Sequence, residues 1–298
     1  MARPSKLFSY GTLIILCVLV FAGAYYLYDK YGNAGLSPID AIPVNSSAFI
    51  ILNKPGHLVN ELSEKNDIWK ELSESEPLGH YLGMAQKADS LLRDLSYAEW
   101  LDQGQLCIAF SGDSAGSASC ILFEWPYGAD KGDVTRLITA LHEKELISQE
   151  QKYLNIKGFS LSDDEGDVAH LGFRNGLCII GTTAEIVEAC AYRMKENLSL
   201  PSFELYNRVA ATAGRNVHAN VFINFDQTAK LGYSIFSSEF LKERKFLPLF
   251  GSWAEIDLLL KNDEVLLNGY TETVDSLDQF LGVFRDQEPQ KIEITRIL

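Results

Sequence analysis

The chain has 298 residues, 47% of them hydrophobic and 22% charged, with 9 Pro and 22 Gly. That length and composition support a substantial core, in one large domain or two smaller ones, and exclude a disordered, collagenous or small disulfide-framework protein. The 26 Lys and Arg against 40 Asp and Glu give a formal charge of −14, and so acidic a surface lacks the basic clusters that a nucleic-acid partner requires.

Residues 1–6 carry Arg3 and Lys6 and read as a short cytoplasmic tail. From Leu7 to Tyr28 the chain then runs without a charge. As a helix rising 1.5 Å per residue it would extend roughly 33 Å, enough for a hydrocarbon core of about 30 Å. Residues 7–28 are therefore expected to form a transmembrane anchor, and the positive flank directs the remainder of the chain out of the cytoplasm. The expected location is a single pass through a bacterial inner membrane with the C-terminal domain in the periplasm. A cleaved signal peptide is the rival reading, because Ala22-Gly23-Ala24 fits a small-residue cleavage site; the apolar run continues through Tyr25 to Tyr28, longer than a usual signal core. Cys17 does not fit lipoprotein processing, since Leu16 stands where a small residue belongs.

Residues 29–44 read as a tether with Pro38 and Pro43, and 45–290 as an extracytoplasmic domain. Ala48 to Leu52 is short, apolar and partly β-branched, as a buried strand is. Asn53 can cap a helix holding Pro55, Leu58, Val59 and Leu62, and apolar residues from Ile68 to Leu95 continue at helical spacing. Gln105 to Phe110 and Ser119 to Trp125 predict paired strands around residues 112–116. Val134, Leu137, Ile138 and Leu141 then mark a helix packed by one face. Tyr153 to Leu161 predicts one or two strands. Val168 to Phe173 and Leu177 to Gly181 flank Asn175-Gly176, a strong tight-hairpin signal. Thr182 or Thr183 can cap a helix lined by Ile186, Val187, Cys190 and Met194, and Phe203 to Ala213 predicts another. Ala254 to Leu260 and Val265 to Thr271 form a further predicted hairpin, closed by a helix carrying Leu277, Phe280, Leu281 and Phe284.

Phe49-Ile50-Ile51-Leu52-Asn53 is echoed by Phe222-Ile223-Asn224-Phe225-Asp226. Each is followed by helical sequence, a hairpin and a last helix. The expected fold is α+β: a mostly antiparallel sheet with packed helices, built from two related strand-helix-hairpin-helix units at about 45–145 and 216–286 and preceded by one N-terminal transmembrane helix. Residues 291–298 alternate like a strand and read as the start of a missing further unit.

No catalytic, cofactor or metal residue is assigned. Gly112-Asp113-Ser114-Ala115-Gly116 matches G-x-S-x-G, but a predicted strand follows Ser114 where a nucleophile elbow needs a helix. His142-Glu143 lacks the second histidine of a zinc helix, since Leu146 stands there, and His57, His80, His170 and His218 are scattered singles. Asp163-Asp164-Glu165-Gly166-Asp167 misses the calcium-loop spacing and reads as an exposed turn. Trp69, Trp100, Trp125 and Trp253 sit among apolar neighbours, as core residues do. Asn45-Ser46-Ser47 and Asn197-Leu198-Ser199 satisfy a glycosylation pattern that arises readily by chance. Cys107, Cys120, Cys178 and Cys190 form an even set; Cys107 and Cys120 flank the first hairpin, and the choice between a disulfide there and buried free thiols stays open.

Residues 42–49 (IPVNSSAF), 66–72 (NDIWKEL), 251–257 (GSWAEID) and 268–271 (NGYT) together resemble an uncharacterised bacterial family of single-span envelope proteins carrying a domain of unknown function. The resemblance covers residues 40 to 298. Its members tend to be longer, and it implies location and architecture without catalytic residues. The functional expectation is a membrane-anchored extracytoplasmic binding or envelope-assembly protein without catalysis of its own. It would be held to the membrane by its N-terminal helix and have an envelope protein as partner. Two alternatives are a hydrolase with a dispersed active site and a receptor for a small molecule or glycan.

Overall fold

The structure, a computed structural model, describes residues 36–53, 105–113, 116–124, 147–162, 168–174, 176–196, 198–228, 249–261, 264–274 and 279–285, with single positions at 55, 135, 139 and 287. Its strands are β1 (Ala48–Leu52), β2 (Leu106–Asp113), β3 (Gly116–Glu124), β4 (Ile147–Tyr153), β5 (Ile156–Ser162), β6 (Val168–Arg174), β7 (Leu177–Gly181), β8 (Ala219–Asn224), β9 (Trp253–Leu260) and β10 (Val265–Glu272). The helices are α1 (Pro38–Ala41), α2 (Ala184–Glu196) and α3 (Glu204–Ala210), with 3-10 turns at Leu200–Ser202 and Phe280–Phe284.

The ten strands make one sheet in the order β10-β9-β8-β1-β2-β3-β7-β6-β5-β4, and every pairing is antiparallel. This corrects the expected α+β balance of two strand-helix-hairpin-helix units. Among the described residues sheet dominates, and the longest helix, α2, has 13 residues. The meander β4 to β7 does not sit between two units; it extends the same sheet, because β3 pairs with β7. Phe49 and Phe222, aligned by the sequence echo, lie directly opposite each other in the β1/β8 ladder. The expected span at 7–28 and the segment 291–298 lie outside the described residues. So do the helical readings between Leu58 and Leu95. Among the described residues no helix is long and apolar enough to cross a membrane.

The expected tether needs a second correction. Ser37 and Asp40 close a capping box around α1, and Ala41 and Ile42 are fully buried in the main core. Such burial removes the freedom a tether requires, so the folded body begins before Asn45.

All the described helices that join the core pack on one sheet face. Antiparallel strands place alternate residues on opposite faces. Phe49, Ile51, Cys107, Ala109, Cys120, Leu122, Ile179 and Phe222 therefore share this face, together with Ile186, Val187, Cys190, Ala191 and Met194 from α2. Thr183 caps α2, its Oγ1 accepting from the Ile186 amide at 3.4 Å. Glu185 in the first turn and Arg193 and Lys195 in the last complement the helix dipole.

Gly181 lets α2 come close to the sheet: a Cβ there would stand 2.7 Å from both Ile186 Cγ2 and Val187 Cγ2. Gly181→Ala is expected to destabilise the protein by about 1–3 kcal/mol, the usual cost of overpacking, measured by urea denaturation. An unchanged midpoint would mean that α2 docks less tightly than described.

Candidate functional site: a groove between the third helix and the tenth strand

An open groove of about 910 Å³ lies between α3, β10 and the residues after it, lined by Leu205, Arg208, Thr212, Tyr270, Glu272, Thr273, Val274 and Arg285. Strand alternation builds one wall, since Tyr270 and Glu272 are two residues apart on β10 and share the helix-bearing face. Helical spacing builds the other. Arg208 follows Glu204 by four residues, and its guanidinium pairs with Glu204 at 2.7 Å and across the groove with Glu272 at 2.9 Å.

Glu272 is buried, and both its oxygens are used: Oε1 accepts from Arg208 and Oε2 from the Tyr270 hydroxyl at 2.9 Å. The carboxylate beside Tyr270 holds that phenol above its ordinary pKa, so it stays a donor. At the far end Arg285 donates to the Thr273 carbonyl at 2.6 Å and also to the Thr273 hydroxyl. The groove thus carries two guanidiniums and hydroxyl groups, with Glu204 and Glu272 balancing the charge. It offers hydrogen bonds to an extended, uncharged or mixed-charge ligand.

Beneath it lies a buried acid cluster. Glu255 on β9 is paired with Tyr270 on one side and Phe222 on the other, and is 1% exposed. Its Oε1 accepts from Asn220 Nδ2 at 3.4 Å, while Oε2 has no hydrogen-bond partner. Burial first, and then the neighbouring Asp257 carboxylate, push the Glu255 carboxyl up to about 7. Asp257 accepts from Asn220 Nδ2 at 2.7 Å and from the Gly214 amide at 2.8 Å. Asn53 Nδ2 donates to Asn220 Oδ1 at 2.8 Å, tying the end of β1 to the same network.

The two described histidines serve local structure. His170 Nδ1 lies 2.8 Å from the Tyr153 hydroxyl, and His218 Nδ1 accepts from the Leu260 amide at 3.0 Å. Ser114, His57, His80, His142, Asp163 to Asp167, Trp69, Trp100, Trp125 and Asn197 lie outside the described residues. The strand β3 begins at Gly116, where a nucleophile elbow would start a helix. Trp253 packs in the core beside Phe49 and Tyr206. Asn45 is exposed, but the Ser47 hydroxyl of its sequon is buried and donates to the Gln227 carbonyl at 2.9 Å.

Cys107, Cys120, Cys178 and Cys190 are buried free thiols. Cys107 and Cys120 do not face each other: Cys107 opposes Leu122, and Cys120 opposes Ala109. Instead Cys120 meets Cys190 of α2, with sulfurs 3.8 Å apart. Among the described residues no group of three or more His, Cys, Asp or Glu side chains could hold a metal ion.

Sequence reasoning missed the groove altogether. Its two walls come from distant segments, Arg208 and Glu272 being 64 positions apart in the chain. The one local signal was the alternation of Tyr270 and Glu272 in a predicted strand, which marks a face without saying what that face meets.

No family model matches the chain, and no curated protein matches it. Among solved structures, that of crystal form I of TP0453 matches over 84% of this chain and 85% of that chain. The identity is 10% and the TM-score 0.39, a likeness too distant to carry an argument about function.

Proposed function

We propose that the protein is a membrane-anchored, extracytoplasmic binding protein of the bacterial envelope. It receives an extended segment of another envelope protein along β10 and the adjoining groove, and it performs no catalysis of its own. The anchor is the uncharged stretch 7–28, with Arg3 and Lys6 on its cytoplasmic side.

The observation that carries the reading is the contrast between the two ends of the described sheet. Terminal strands offer unpaired backbone groups, and soluble proteins usually blunt them with charge. The β4 end does so, with Glu150 and Lys152 exposed and alternating with exposed Gln149 and Gln151. The β10 end has no charge from Val265 to Thr271, while Leu266, Leu267 and Tyr270 are 40%, 64% and 45% exposed. An added strand would gain main-chain hydrogen bonds on such an edge and side-chain specificity from alternate positions. The groove beside it supplies hydroxyl and guanidinium contacts.

Photocrosslinking in intact cells tests this. A crosslinker at position 266 is expected to yield one reproducible adduct with an envelope protein, and one at position 151 none. Leu267→Lys should abolish the adduct while changing stability by less than about 0.5 kcal/mol, as exposed substitutions do. Adducts with cytosolic proteins, or equal adducts from both positions, would overturn the reading.

A further inference from the structure

We propose that Cys120 and Cys190 are a disulfide pair, joining β3 to α2 when the protein folds under oxidising conditions. Their sulfurs already stand 3.8 Å apart, and both residues are buried. Closing that gap to about 2.05 Å needs a movement of roughly 0.9 Å from each sulfur, a small side-chain adjustment.

The sheet register singles out this pair. Cys178 opposes Phe123 on β3, so it points to the face away from Cys120 and Leu122. Cys107 shares the face of Cys120 but is displaced by two residues along the ladder, a diagonal relation. Diagonal neighbours lie farther apart than directly opposed residues. Among the described cysteines only Cys190 approaches Cys120 from above the sheet, on a helix whose capped start and buried stripe fix its rotation.

The reaction is thiol–disulfide exchange with a small-molecule or protein disulfide. One cysteine thiolate attacks the oxidant's disulfide and releases a thiolate. The second cysteine thiolate then attacks the mixed disulfide and releases the other. Two cysteine thiols become one S–S bond, the oxidant's disulfide becomes two thiols, and the two cysteine protons end on those thiols. The hydrogen bond with the Cys120 thiol first, and then burial, hold the Cys190 thiol well above its ordinary pKa. In the finished fold it is therefore unreactive, and the bond is made before α2 docks.

The proposal rests on the extracytoplasmic reading for its source of oxidant, so the test supplies the oxidant in vitro. Full-length protein in detergent is reduced, denatured, refolded in a mixture of reduced and oxidised glutathione, and then treated in denaturant with a thiol-blocking reagent. Non-reducing digestion and mass spectrometry are expected to find Cys17, Cys107 and Cys178 blocked. A linked peptide pair should carry Cys120 and Cys190 and be lighter by two hydrogen atoms than the free peptides. Reduction should lower the thermal midpoint by about 5–10 °C, in keeping with a bridge across a span of 70 residues. Cys107→Ala should keep the link. Five blocked cysteines, or a bridge from Cys107 to Cys120, would overturn the pairing. Because refolding is in vitro, such a failure counts against the pair itself, whereas photocrosslinking in cells tests location.

Discussion

Phe222→Ala is expected to lower the unfolding free energy by about 3–5 kcal/mol, the range for truncating a buried phenylalanine. Phe222 is 1% exposed and stacks on Phe49 with ring centroids 4.8 Å apart and planes 14° from parallel. Tyr206 of α3 lies against both rings, at 5.5 Å from Phe222 and 6.0 Å from Phe49. Trp253 closes the cluster from β9. Truncation would remove aromatic contacts worth about 0.5–1.5 kcal/mol per pair beyond the area they bury, and rings held between paired strands collapse poorly into a void. The site is also the join of the sheet, where β1 meets β8. Since a domain's whole stability is about 5–15 kcal/mol, one such loss is a large share of it. Guanidinium denaturation should show the midpoint falling with little change in slope. A loss below about 1 kcal/mol would mean that the two arms of the sheet are not packed together at this point.

The second large effect concerns pH. Glu255 has a folded-state pKa of about 7, against an ordinary 4.5. Below pH 4.5 the carboxyl is protonated in both folded and unfolded chains and contributes nothing to the difference. Between pH 4.5 and 7 the unfolded chain releases the proton while the folded one keeps it, so stability falls as pH rises. Above 7 the loss is complete and levels off. At 1.36 kcal/mol per pH unit the loss is about 3 kcal/mol at most. The effective dielectric felt even at buried sites is well above that of dry protein, and about 1–2 kcal/mol is the expected loss.

Glu255→Gln removes the titration while leaving an amide that can still reach Asn220 and donate to Asp257. The variant should match the natural protein near pH 4 and exceed it by about 1–2 kcal/mol at pH 8.5. Denaturation of both proteins across that range measures the difference directly. A constant difference across the range would show that Glu255 is already ionised in the folded protein.

Local sequence patterns foretold the elements well wherever a strand or helix has one face in the core. The Asn175-Gly176 signal marked the β6/β7 hairpin, and the actual strands end at Arg174 and begin at Leu177. The stripe Ile186, Val187, Cys190 and Met194 is the buried side of α2, with Ala191 between. Strand β4 escaped detection. Its sequence ISQEQKY is a polar terminal strand held by pairing with β5, so no apolar alternation betrays it. The apolar spacing from Phe280 to Phe284 suits a helix, yet the segment is a 3-10 turn with Phe280, Val283 and Phe284 exposed.

By itself the sequence determined the acidic composition, the charge-free amino-terminal stretch, the hairpins and the inward face of α2, because these depend on neighbours within a few residues. Only the tertiary structure decided that the strands form one sheet, that Phe49 lies opposite Phe222, and that Arg208, Tyr270 and Glu272 border one groove above a buried Glu255. It also decided which cysteines meet. Such choices come from pairing segments far apart in the chain. Many registers would satisfy the same local alternation, and the packing of the whole core selects among them.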